Sequence, residues 1–250
     1  CSQRCARHTH GIDIEQRTAV RTRDPLDEVR VLELVILIDT SQLAYRKALK
    51  TGLQALALLG ETLPLDPGTP RVLSELILTK ARLVGYSDSD ITGFPRMTDL
   101  RKLAAMRVLV LLGPPAYFSS PNLLPLIALR MVRLSVRHGN APESAFGYVI
   151  YGMLHCALLG APRRGLAYGE LARRAATDLG AQHIEGRVLM VFGGFIKGWT
   201  APLARTLPMF LEGADKAISV GDLEYHGYCR YAHASYALMA GQPLARVSEY

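Results

Sequence analysis

Between Met106 and Gly160 the chain reads as helix, proline-marked turn, helix, turn and helix, and this punctuation constrains the fold more than any other feature of the sequence. Apolar residues recur at helical spacing at Met106, Leu109 and Val110, then at Leu126, Leu129, Val132 and Val136, and each run is closed by Gly or Pro. A chain written this way folds as packed helices. The same stretch holds no catalytic signature, so its expected chemistry is contact.

With 250 residues, 49% of them hydrophobic and 20% charged, the chain can bury a core and is too apolar to stay disordered. No apolar run reaches the roughly 18 residues of a spanning helix. Val31–Ile38 carries Glu33 and is followed by Asp39, and the run after Leu123 contains Arg130 and Arg133. The formal charge of +7, from 29 basic and 22 acidic residues, permits contact with a polyanion. The excess is partly local, at Arg4, Arg7, Arg17, Arg21 and Arg23 and in the pairs Arg163, Arg164 and Arg173, Arg174 on one helix. A solvated face explains it, and nucleic acid is not the expected partner. Four irregularly spaced cysteines (Cys1, Cys5, Cys156, Cys229) fit a reducing compartment, so a cytoplasmic protein is expected. The chain opens at Cys1 without an initiator Met or a signal core, which leads us to expect an excerpt of a longer polypeptide.

Residues 1–26 read as a polar, basic, poorly ordered lead-in. Residues 27–140 read as degenerate helical repeats around a proline-rich connector at Glu61–Pro70, and residues 141–250 as more regular repeats whose last helix is cut off. In detail, Leu26–Ile38 and Gln42–Leu59 form a helix pair broken at Asp39, Thr40 and Ser41. A buried strand is the alternative for Val31–Ile38, although no comparable run exists to pair with it. Arg71–Val84 is helical, Tyr86–Thr98 is a polar loop, Thr98 or Asp99 caps a helix through Leu112, and Pro114 and Pro115 stop it. Ser120 then caps a helix with Pro121 at its first position. Beyond His138, aromatic- and glycine-rich helices (Ser144–Leu159, His183–Trp199, Asp222–Ala240) alternate with more charged ones, and Tyr148, Arg187 and His226 recur about 39 residues apart. The expected fold is all-α, with antiparallel helix pairs stacked as a superhelical array. Gly152, Gly193 and Gly227 are expected where neighbouring helices come close.

Candidate chemistry is sparse. Cys1, Cys5, His8 and His10 supply four ligand types, but at a ragged terminus, and His226, Cys229 and His233 share one helix face without a fourth ligand. Neither is read as a metal site. Asp88, Asp90 and Asp99 have loop and capping spacing, not that of an aspartate-rich metal motif, and Ser135, Ser144 and Ser235 lack the glycines of a nucleophile elbow. There is no Gly-Lys dipeptide for a phosphate loop and no kinase catalytic loop, so no cofactor is expected in this stretch. The aromatic set Tyr148, Tyr151, Phe192, Phe195, Trp199, Tyr225, Tyr228, Tyr231 and Tyr236 is read mainly as packing between helix pairs. Should part of it line a concave interaction groove, the positions are Tyr148, Tyr151, Arg187, His226 and Tyr231.

Leu43–Leu59 carries the tetratricopeptide second-helix pattern at Tyr45, Ala48, Leu49, Ala55 and Leu56, with Leu43 in place of the usual small residue. The ordered series LPLDPGTPRVLSEL (63–76), MTDLRKLAAMRVL (97–109), the segment 114–140, SAFGYVIYGM (144–153), FGGFIKGW (192–199) and GDLEYHGY (221–228) resembles the helical-repeat region of large bacterial hybrid signalling proteins. In that family a serine/threonine-kinase-like module and an AAA/STAND-type ATPase precede the repeats, and a GAF domain and a histidine kinase follow. The resemblance covers roughly residues 30–250. It implies a non-catalytic, tetratricopeptide-like scaffold for protein–protein interaction and signal transmission, partnered by other domains of its polypeptide or by signalling proteins, with ATP and Mg confined to modules outside it. Two other readings stay open: the ligand-sensing repeats of an ATP-dependent DNA-binding transcription regulator, and a free-standing helical enzyme.

Overall fold

The computed structural model describes residues 24–247. The fold is all-α: the elements are α1 (Pro25–Ser41), α2 (Tyr45–Leu58), α3 (Thr69–Leu83), α4 (Asp88–Thr92), α5 (Leu100–Leu111), α6 (Gly113–Ser119), α7 (Leu123–His138), α8 (Ser144–Ala157), α9 (Pro162–Asp178), α10 (Gln182–Phe195), α11 (Leu207–Ser219), α12 (Leu223–Met239) and α13 (Leu244–Val247), with 3₁₀ turns at Lys197–Trp199 and Leu203–Arg205. Among the described residues there is no strand, so Val31–Ile38 is helix, and none of the helices is long and apolar enough to cross a membrane. The residues fall into two compact units, one of residues 24–67 and 99–124, the other of 68–98 and 125–247. This grouping differs from a division at residue 140.

In the first unit, Asp24 caps α1 by accepting from the Leu26 amide at 2.9 Å, with Pro25 at the first position, where its missing N–H costs nothing. The helix runs three residues further than its sequence suggests. Asp39 is buried and ion-paired to Lys47 at 2.8 Å, and the Thr40 and Ser41 hydroxyls donate back to the carbonyls of Ile36 and Ile38, so the expected break at these residues is the last turn of α1. The reversal falls instead at Leu43, whose φ of 60° is left-handed. The core is built from Val29, Leu32, Ile36, Leu49, Leu56, Leu109 and Leu112, and the Leu112 side chain fills the space beside Gly52. Pro114 and Pro115 follow the end of α5 at Leu111, as expected, and a new helix begins at once. They occupy the first turn of α6, where a proline clashes with no preceding carbonyl of its own helix. The Ser120 hydroxyl donates to Leu65 O at 2.9 Å instead of capping α7, which begins only at Leu123, beyond Pro121.

In the second unit, the expected loop 86–98 contains α4, closed by a reciprocal capping box between Ser87 and Asp90. The hairpins that follow, α8/α9 and α10/α11, pack in succession. Each first helix also touches the next, α8 against α10 and α10 against α12. The register is marked by Gly139, Gly180 and Gly221, each 41 residues after the last, each at positive φ (90°, 66°, 77°) and each between one pair's second helix and the next pair's first. The true repeat is therefore 41 residues, slightly longer than the spacing of Tyr148, Arg187 and His226.

Small residues set how closely these helices approach. A Cβ added at Gly152 would lie 2.8 Å from Gly165 O, and one added at Gly186 would lie 2.8 Å from Gly213 O and 3.0 Å from Ala217 N, so both positions face bare backbone of the neighbouring helix. At Gly193 the added atom would meet the buried Phe210 ring at 2.9 Å. Gly152 and Gly193 thus lie at close approaches. Gly227 does not: nothing lies within 4 Å of its added Cβ, because no helix among the described residues covers that side of α12. Gly186 and Gly193 replaced by Leu should each lower stability by about 1–3 kcal/mol through overpacking. Gly227→Ala should raise it by up to about 1 kcal/mol through helix propensity. Thermal melts of the three variants check this, and a Gly186→Leu variant that melts like the parent would contradict the packing described.

Candidate functional site

The side chains singled out from sequence divide into core and surface. Tyr148 is fully buried and donates its hydroxyl to Asn140 Oδ1 at 2.6 Å; Tyr151 is buried with its ring edge-on to His155 at 4.6 Å and to Tyr168 at 4.8 Å. Burial raises both phenols above the ordinary tyrosine value. Neither can line an open groove, because both sit on the faces of α8 that the packing fills. Arg187 is half-buried, paired to Asp222 at 2.7 Å with its guanidinium 4.6 Å above the Tyr225 ring. His226 has its Nδ1 3.1 Å from Ala214 O. Of the five positions only Tyr231 stands out in solvent, at 76% exposure.

Sequence reasoning passed over the residue that organises the start of the second unit. Asn140 is buried, and every polar group it has is used. Its amide donates to Pro95 O at 2.7 Å, its carbonyl accepts from the Met97 amide at 2.9 Å, its Nδ2 donates to Ile91 O at 2.8 Å, and its Oδ1 takes the Tyr148 hydroxyl. The parallel bridge between Arg96 and Asn140 belongs to the same arrangement. Its backbone holds the segment after α4, and its side chain joins α4 itself, at Ile91, to Tyr148 of α8. The neighbouring serines are structural too. Ser135 and Ser144 share a hydrogen bond of 2.6 Å, and the Ser144 hydroxyl accepts from the Ala141 amide.

The other candidates resolve into local structure. Asp88 pairs with Arg164 at 3.1 Å, Asp90 completes the α4 capping box, with hydrogen bonds from the Ser87 hydroxyl and amide holding its carboxyl below the usual value, and Asp99 caps α5. Cys229 and His233 are buried in the core while His226 points to a carbonyl, and burial pushes the Cys229 thiol up to about 12, away from the thiolate a metal binds. Among the described residues no group of three His, Cys, Asp or Glu side chains is placed to hold a metal ion. Cys1, Cys5, His8 and His10 lie outside the described residues.

Beside its charged residues, the second unit exposes apolar rows. On α12, Leu223 (69% exposed), Gly227, Tyr231 and Leu238 follow one another at helical spacing along one side. On α3, Leu73 and Ile77 are exposed as well, with Val84 just beyond its end. Such rows mark contact surfaces when they are contiguous. In comparisons with known proteins, no family model, no curated protein and no solved structure matches the chain.

Two outcomes follow from these contacts. Asn140→Ala removes an acceptor from the buried Tyr148 hydroxyl and a donor from Ile91 O, and should cost about 1–3 kcal/mol per group left unsatisfied; urea denaturation measures it, and an unchanged midpoint would contradict the role given to Asn140. The second concerns His155. It is buried with Nδ1 3.0 Å from Tyr151 O, and burial holds its pKa below the ordinary imidazole value, reinforced by Arg164 and Lys80. Well above pH 6.5 neither state binds this proton; as pH falls through about 6.5 the unfolded chain takes it first, so native stability drops as pH goes below that value. His155→Phe should flatten that part of the stability profile relative to the parent, and parallel profiles would contradict it.

Proposed function

We propose that the chain is a non-catalytic, tetratricopeptide-like scaffold for protein–protein interaction and signal transmission, part of a cytoplasmic multidomain bacterial signalling protein whose ATPase and kinase modules, with their ATP and Mg, lie elsewhere in the polypeptide. The observation that carries this reading is the 41-residue recurrence of helix pairs packed through small residues, with exposed apolar rows on α3 and α12. Arrays of this kind couple nearest neighbours, so a partner seated on one helix pair biases the placement of the next.

The interior polar groups support the same reading, since Asn140, Ser135, Ser144 and Asp39 are engaged in holding backbone or closing ion pairs. Several of the basic residues behind the positive charge are spent internally, in Arg46–Asp66, Lys102–Glu61, Arg133–Glu75, Arg164–Asp88 and Arg187–Asp222. That weakens the case for a polyanion as partner.

Two measurements test the proposal. Calorimetry with ATP and Mg2+ should show no saturable heat, and micromolar binding or any turnover would overturn the non-catalytic reading. A photo-crosslinking residue in place of Ile77 or Tyr231 should give a discrete adduct with one polypeptide in cells. The same residue in place of Arg174, on the exposed side of α9, should not; identical patterns at all three sites would overturn the scaffold reading.

A further inference from the structure

Internal ion pairs absorb much of the positive charge of this chain, but one place is left undersupplied. Helices α3 and α7, both in the second unit and both with described helices before and after them, carry six basic residues against a single carboxylate, Glu75. Glu75 is buried and divides its two oxygens: Oε1 accepts from Arg71 at 2.9 Å, and Oε2 accepts from Arg133 of α7. Arg82 and Arg137 are exposed, and among the described residues neither has an ion pair. Helical spacing brings the excess together. On α3, Arg71, Leu78 and Arg82 fall along one side that Glu75 borders; on α7, Arg133 and Arg137 are one turn apart. The two rows meet at Arg133. Only 18% of its side chain is exposed, and its pKa is pulled below the ordinary arginine value, first by burial and then by the like charges of Arg130 and Arg82, which outweigh what Glu75 gives back.

Positive charge gathered this way is a surface that an anion stabilises, because each carboxylate brought to it relieves repulsion and also forms its own charge-assisted hydrogen bonds. A nucleic-acid backbone suits it poorly. From Arg71 to Arg82 the strip is about 16 Å long, the half-exposed Leu78 (53%) stands in its middle, and neither α3 nor α7 has an aromatic side chain on which a base could stack. We infer that Arg71, Leu78 and Arg82 of α3, with Arg133 and Arg137 of α7, dock an acidic polypeptide segment of a partner protein: its Asp or Glu carboxylates pair with Arg82, Arg133 and Arg137, and one apolar side chain covers Leu78. This deepens the scaffold reading by naming the chemistry of the partner, and the two fail separately. ATP turnover would end that reading and leave the strip untouched, and the experiment below can end the inference alone.

The test uses the full chain and a fluorescein-labelled peptide of three glutamates, one leucine and three more glutamates. Anisotropy at low salt should report saturable binding that weakens as salt is raised. Arg82→Glu and Arg137→Glu, both at exposed positions, should each weaken it by about tenfold or more. A peptide with glycine in place of its leucine should bind about threefold or more weaker. Arg174→Glu makes the same change of net charge on the exposed side of α9 and should leave binding unchanged, which separates this strip from attraction to the molecule as a whole. No saturable binding, or an equal loss in Arg82→Glu and Arg174→Glu, overturns the inference. Two further outcomes overturn the assignment of an acidic polypeptide: tighter binding of a single-stranded oligonucleotide of equal charge, and binding that appears only when phosphoserine replaces the glutamates.

Discussion

The second unit depends on helices that meet without side chains between them. Where Gly186 faces Gly213 and Gly152 faces Gly165, an added methyl would lie 2.8 Å from a carbonyl oxygen, so the distance between paired helices is set by backbone and not by the fit of large side chains. Helix-interior glycine is costly by itself, and the offset comes from the apolar area that close approach lets the flanking residues bury. Phe146, Tyr148, Tyr151, Phe192 and Phe210 are the largest of the fully buried side chains. The arrangement has a direction: each pair makes a surface for the next, and the chain's function is proposed to lie in such surfaces.

Polar chemistry in this protein is used for registration. Asn140 fixes the segment after α4 to the start of α8, Arg187 and Asp222 join α10 to the cap of α12, and Ser135 with Ser144 ties α7 to α8. Each contact is buried or half-buried, so each is strong enough to specify position and costly to break on one side only.

The helical class was legible because it rests on periodicity and on punctuation, which are local. Pro25 and Asp24, Asp99, and the glycines at 139, 180 and 221 act within a few residues, and their positions in sequence translate directly into helix ends. What was not legible depends on partners distant in sequence. Asp39, Thr40 and Ser41 have cap-forming side chains, yet Lys47 and back-bonded hydroxyls keep them helical. Pro114 and Pro115 follow the stop of α5 that the sequence shows, but nothing local shows that they also begin α6. Tyr148 and Tyr151 have the composition of a binding surface, and only the burial of α8 removes them from it. Gly186 and Gly227 hold the same place in their helices, and what separates them is α11, which among the described residues covers only the first.

The central claim is that α8, α10 and α12 are successive equivalents in a stacked array in which the side of each helix is protected by the next pair. Native-state hydrogen exchange resolved by residue tests it most directly. Amides of α8 and α10 should exchange only through unfolding of the whole unit, and those of α12, with its outer side open, markedly faster by local opening. Protection in α12 equal to that in α10 would contradict the account.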